Sequence, residues 1–192
     1  LNISGNMAFR WTGTNRQTDD KTVVGRQKQD DINGFEIERL FLTFAGHVHT
    51  DKLTYQITVL GDTDNAHAWQ TYYAFVNYEV IPEFQVAAGL MDIPQGRQFM
   101  NWDSSLQFCD RSMVEEAFGL FQSIGVMFHG TLAKRLTYQM GVFNGIANPQ
   151  DSPSQEQLDT NFAYAARLIG HILGDGIDDE TDLEFSKDPK LD

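Results

Sequence analysis

Arg10, Arg39 and Arg167 carry the most chemistry in this sequence, because each lies inside a run of alternating apolar and polar residues, on the polar side of the alternation. A guanidinium keeps its proton at physiological pH and grips oxyanions through parallel N–H bonds, so a set of arginines along one wall suits an anion path. Arg97 and Arg111 add two more within a long stretch, about 92–121, that shows no strand period. The same stretch carries acids at Asp92, Asp103, Asp110, Glu115 and Glu116. The plainer role for each arginine is a pair with a neighbouring carboxylate that only stiffens the wall. No catalytic arrangement competes with these readings. There is no Gly-x-Ser-x-Gly elbow, no Walker loop and no Gly-x-Gly-x-x-Gly after a strand, so chemical turnover is not expected.

The elements that must position these arginines are strands. Leu1, Ile3, Met7, Phe9 and Trp11 fall on one side of an extended segment, and Asn2, Ser4, Asn6, Ala8 and Arg10 on the other. The pattern predicts strands over about 1–12, 34–49, 53–61, 68–79, 84–91, 122–130, 136–144 and 161–170. In the second, Leu40, Leu42, Phe44 and Val48 oppose Arg39, Phe41, Thr43, Ala45 and His47. The third is the cleanest, with Leu53, Tyr55, Ile57 and Val59 against Thr54, Gln56 and Thr58. The fourth has aromatic residues on both sides, with Trp69, Tyr73 and Phe75 set against Tyr72 and Tyr78, so its facing is ambiguous. In the eighth, Phe162, Tyr164, Ala166 and Leu168 oppose Ala163, Ala165 and Arg167.

Connections after the second, fourth and sixth strands are short, and those after the first, fifth and seventh are long. That rhythm matches an outer-membrane barrel, whose turns are short on one side of the bilayer and long on the other. No run approaches the ~20 apolar residues of a spanning helix. Alternation by itself fits a soluble ligand-binding barrel, apolar inside, as well as a membrane barrel, apolar toward lipid. The charges bear on the choice: the apolar sides of the strands carry essentially no ionised residue, and an arginine facing lipid at mid-depth would cost roughly 2–4 kcal/mol. An antiparallel, all-β transmembrane barrel is therefore expected, with Arg10, Arg39 and Arg167 toward a lumen. Trp11, Trp69, Tyr72 and Tyr78 near strand ends suit interfacial girdles.

Five short pieces in order carry a family resemblance: Ala88-Gly89-Leu90-Met91-Asp92-Ile93-Pro94, Phe108-Cys109-Asp110-Arg111-Ser112-Met113, Ser123-Ile124-Gly125-Val126-Met127, Gly141-Val142-Phe143-Asn144-Gly145 and Ala165-Ala166-Arg167-Leu168. The run Phe35-Glu36-Ile37-Glu38-Arg39 fits more loosely. Together they resemble the phosphate-selective porin O and P family of Gram-negative outer membranes, over most of residues 34–170. The resemblance implies a 16-stranded barrel, of which about eight strands are present here, and a homotrimer in outer-membrane lipid. It also implies an anion pore with an infolded third loop, whose counterpart is 92–121, so that Arg97 and Arg111 are placed near a constriction. The family tends to carry Lys where this chain has Asp92. The acid is a departure that leaves a general, weakly selective porin open beside a phosphate channel, with Asp92 the local counter-charge to the arginines.

The remaining candidates are weaker. His47 and His49, two apart, would share a strand face and with His67 could chelate a metal, but no cysteine or carboxylate signature accompanies them. The tail 171–192, with eight acids from Asp175 onward, lacks the Gly and Glu positions of an EF-hand and reads as a solvated acidic loop or tail. Cys109 is the one cysteine, so there is no intrachain disulfide, and no cofactor is expected. A net charge of -13 argues against nucleic acid as partner. The expectation is a fragment of an outer-membrane porin passing small solutes, anions such as phosphate among them. The alternatives are a soluble ligand-binding barrel and a plugged structural or adhesive barrel.

Overall fold

The computed structural model describes residues 1–13, 33–61, 69–102, 105, 106, 108, 111–145 and 162–172. The expectations placed on His67, Asp103, Cys109, Asp110, the first loop, the loop before 161 and the acidic tail from 173 lie outside the described residues. The described chain forms β1 (Asn2–Gly13), β2 (Asn33–Val48), β3 (Thr50–Gly61), β4 (Trp69–Ile81) and β5 (Phe84–Asp92). A short helix α1 (Met113–Phe118) follows, then β6 (Gln122–Leu132), β7 (Leu136–Phe143) and β8 (Ala163–Gly170). Every strand pairs antiparallel with its sequence neighbour, giving one eight-stranded sheet in the order β1 to β8 that is not closed. The chain is thus all-β, and the eight strands form part of a barrel wall.

The alternation sorts side chains onto two faces. Met7, Phe9, Trp11, Val76, Tyr78, Ile124, Val126, Phe128, Met140, Val142, Tyr164 and Leu168 stand exposed on the outer face. The inner face holds Arg10, Thr12, Thr43, Gln56, Thr58, Asn77, Gln85, His129, Gln139 and Arg167, wired together by side-chain hydrogen bonds. A soluble barrel would bury its apolar side; here that side is bare, which is the inverted arrangement lipid requires. Aromatic stacks mark both ends of the wall. Phe9 lies on Phe35 at 5.6 Å near the long-loop end, and Phe84 on Phe128 at 5.9 Å near the short-turn end. No helix among the described residues is long and apolar enough to cross a membrane.

Two bulges shape the inner face. Between β1 and β2 the register passes from Ala8↔Arg39 to Phe9↔Ile37, so Glu38 is the extra residue. Between β3 and β4 it passes from Thr58↔Tyr73 to Val59↔Thr71, so Tyr72 is the extra residue. An inserted residue breaks the two-residue period and turns two neighbours to the same side. Glu38 and Arg39 both reach the inner wall, and so do Tyr72 and Tyr73, whose rings sit 4.7 Å apart with Tyr72 also 5.0 Å from Phe41. The second bulge puts Tyr72 on the same side as Tyr73 and Phe75, while Tyr78 stands exposed on the other.

The turns differ in one respect from the sequence reading. The chain reverses at His49, which has φ 62°, and Thr50 already pairs with Val48. His49 therefore sits in the turn and does not share a strand face with His47. His47 instead lies 3.6 Å from Asp51, both exposed. No group of three or more His, Cys, Asp or Glu among the described residues is arranged to hold a metal ion.

Candidate functional site

The segment joining β5 to β6 lies against the inner face, and small residues make its seat. Gly125 and Gly141 leave the surface on which Phe143 rests; a Cβ on Gly125 would stand 2.5 Å from the Phe143 ring. Phe143 and Ile93, both fully buried, then form one core with Ala87 and Met91, against which Leu120, Ala163 and Ala165 pack. The two ends of the segment meet where the Ile93 N–H donates to the Phe121 carbonyl at 3.1 Å. Further along, Trp102 crosses to the opposite part of the wall, 6.3 Å from the Phe41 ring and 5.6 Å from the Tyr73 ring.

Within the segment, polar side chains replace a regular ladder. Leu120 N–H donates to Gln95 and Ser112 N–H to Gln98, each at 2.9 Å. The Ser112 hydroxyl accepts from Glu115 N–H and caps α1. Arg111 belongs to this wiring. Its Nη2 donates to the Asn101 carbonyl at 2.9 Å, and its guanidinium lies 5.5 Å over the Phe99 ring, which meets Phe121 edge-on. Arg111 thus holds the segment's own shape.

The other arginines divide into two groups. On β1 and β2, Arg10 donates through Nε to Glu36 at 2.7 Å and lies 3.3 Å from Glu38, while Arg39 reaches Glu38 at 3.1 Å. Thr12 also donates to Glu36. Two guanidinium and two carboxylate groups thus face one another in this patch. The second group joins the segment to β8: Arg167, 3.4 Å from the Gln139 side chain, lies within electrostatic range of Arg97 and Glu115. The Glu115 carboxylate sits directly over Gly96, beside Arg97 in the chain. Arg97 and Glu115 are thus charged neighbours of Arg167.

Asp92 is held by two neutral donors. At the end of β5 it accepts from the Tyr73 hydroxyl at 2.5 Å and from the Gln122 amide at 2.9 Å. It borders a cavity of about 170 Å³ with Gln56, Phe75, Trp102 and three methionines. A wider hollow of about 480 Å³ continues from Gln56 and Phe75 toward His47 and Tyr55 along the inner face. The structure therefore brings together Arg10 with Arg39, and Arg97 with Arg167, and sets Arg111 and Asp92 apart. Sequence reasoning missed Glu36 and Glu38 as partners of the first pair, and Tyr73, Gln122 and Trp102 altogether. The equal parity of Glu36 and Arg10 on facing strands was the available signal for the first pair; the others depend on contacts distant in sequence.

An antiparallel wall with an apolar outside, a polar inside and a segment folded over that inside defines a β-barrel porin. The family model for phosphate-selective porin O and P matches residues 10–177, and the chain belongs to that family. Its members are channels of Gram-negative outer membranes. No curated protein and no solved structure matches the chain.

Proposed function

We propose that this chain supplies part of a water-filled channel in the outer membrane through which small anions, phosphate among them, diffuse down their gradients without chemical turnover. The observation that carries the reading is the placing of Arg97, from the infolded segment, within electrostatic range of Arg167, from β8, on the inner face. Cationic side chains on a narrowed part of the lumen raise the local concentration of anions and lower that of cations. Arg10 and Arg39 contribute little to selectivity, because Glu36 and Glu38 offset them. The 93–121 segment acts as the constriction, and the outer face meets lipid or, over part of its surface, the other subunits of a homotrimer.

The test is the reversal potential of the full-length protein in a planar bilayer under a KCl gradient. Anion preference that drops in Arg97→Gln and Arg167→Gln supports the proposal. Cation preference in the parent protein would overturn the anion path while leaving a porin. Correct insertion without conductance would identify a plugged barrel.

A further inference from the structure

The infolded segment meets the wall at two supports, and they are unequal. At its root, Ile93 is fully buried with Phe143 and Met91, and Leu120 packs on the same core. At its far reach, Trp102 stands edge-on to Phe41 of β2 at 6.3 Å and to Tyr73 of β4 at 5.6 Å, and stays 41% exposed. A cavity of about 170 Å³ runs between the supports, from Met91 to Tyr73 and Trp102, with Met100 of the segment on its border. The segment therefore bridges a hollow and is not laid flat on the sheet. Its own wiring ties Gln95 to Leu120, Gln98 to Ser112 and Arg111 to Asn101, the neighbour of Trp102. A unit tied in this way moves as one piece, so its position over the inner face is set where it is supported.

The sheet builds the far support from three rings. Phe41 is 5% exposed, and Tyr72 meets it edge-on at 5.0 Å while lying 4.7 Å from Tyr73. Tyr72 is the extra residue of the β4 bulge; in a regular strand it would fall on the face opposite Tyr73. Edge-on contacts of this kind favour one ring arrangement over others, which makes the cluster a defined seat for Trp102. A ring this exposed holds less firmly than the closed Ile93 and Phe143 core, so the far support is the one that lets go first. We infer that Trp102 positions the constriction: with 93–121 narrowing the lumen as proposed above, its contact with Phe41, Tyr72 and Tyr73 fixes how far the segment reaches and how steadily it stays there.

The test records the full-length protein as single channels in a planar bilayer and, in detergent, follows amide hydrogen exchange on peptides covering 93–121. Trp102→Leu is expected to raise the frequency of transitions between conductance levels and to speed exchange over 98–102, each by roughly two- to ten-fold, the range set by one aromatic pair. Trp102→Phe keeps a ring and is expected to stay within about two-fold of the parent in both readouts. Phe41→Leu removes the other side of the contact, is expected to match Trp102→Leu, and carries the test if that variant does not fold. Trp11→Leu on the outer face leaves both readouts unchanged. Parent-like exchange in Trp102→Leu and Phe41→Leu overturns the inference, and so does faster exchange with parent-like channel records. An absence of conductance in every form would remove the channel reading alone, and exchange over 98–102 would then decide whether Trp102 holds the segment.

Discussion

Arg10 with Arg39 and Arg97 with Arg167 are the same residue type on the same inner wall, yet their surroundings differ in kind. The first pair stands on adjacent strands, where a bulge delivers Glu38 to the same side as Arg39, and Glu36 and Glu38 face the two guanidinium groups. The second pair is assembled from a strand and a segment folded onto it, with Glu115 within electrostatic range. An arginine on a wet strand face is thus not by itself a selectivity element. What matters is whether the local backbone also brings an acid there, and in β2 a single extra residue decides that.

The contrast is broken most directly at the second pair. The double variant Arg97→Gln with Arg167→Gln removes two positive charges from the inner face and is expected to lower the chloride-over-potassium permeability ratio by roughly five-fold or more. A unit charge about 4 Å from a passing ion contributes about 1 kcal/mol even in water-like surroundings. Bilayer reversal potentials decide it, and an unchanged ratio would mean that neither arginine faces the solute path. Next in size is the reverse manipulation at the first pair. Glu36→Gln with Glu38→Gln removes two carboxylates that face Arg10 and Arg39, and the same measurement should show the ratio rising by roughly two- to five-fold. A fall would show that the β1–β2 patch lies outside the conducting volume.

Deleting Glu38 sharpens the argument, because it removes one acid and the bulge together. Phe35 and Ile37 point outward and Arg39 inward, so closing the gap leaves a regular alternation in which Arg39 keeps its face. The deletion is expected to fold, checked by heat-dependent mobility on a gel, and to raise the ratio by about two-fold. A one-residue deletion in a regular strand would instead turn half the strand's apolar residues into the lumen. Failure to fold would show that the bend the bulge gives β2 is needed to shape the wall.

How much of this was readable in the sequence follows from the same point. Alternation marks which residues share a face, so Arg10, Arg39 and Arg167 were legible as inward-facing and the apolar outer wall as a wall. The bulges at Glu38 and Tyr72 were not legible, because a bulge is a relation between two strands and only the cross-strand register reveals it. Tyr73 against Tyr72 looked like two faces of one strand for that reason. The contact of Trp102 with Phe41, and the electrostatic nearness of Arg97 to Arg167, depend on how a segment without period lies on a sheet. Local pattern carries no information about that. Asp92 stood out by its charge, but its attachment to Tyr73 and Gln122 joins three strands and needed the assembled sheet.

The smallest expected effect is at Arg10 itself, and its smallness is the point. Arg10 is 41% exposed, so its pairs with Glu36 and Glu38 are screened by water and salt and add little to stability. Arg10→Gln leaves Glu36 with its Thr12 hydrogen bond and Glu38 with Arg39, so neither carboxylate loses all of its donors. The permeability ratio should shift by less than about two-fold, toward cations, because the patch loses one positive charge in water-filled surroundings. Arg167→Gln alone should shift it further, since the pair proposed to draw anions loses one of its two cations. If Arg10→Gln proves the larger of the two, the offset by Glu36 and Glu38 does not operate in the open channel. The division of the arginines into a β1–β2 pair offset by Glu36 and Glu38 and a selecting pair at Arg97 and Arg167 would then fall.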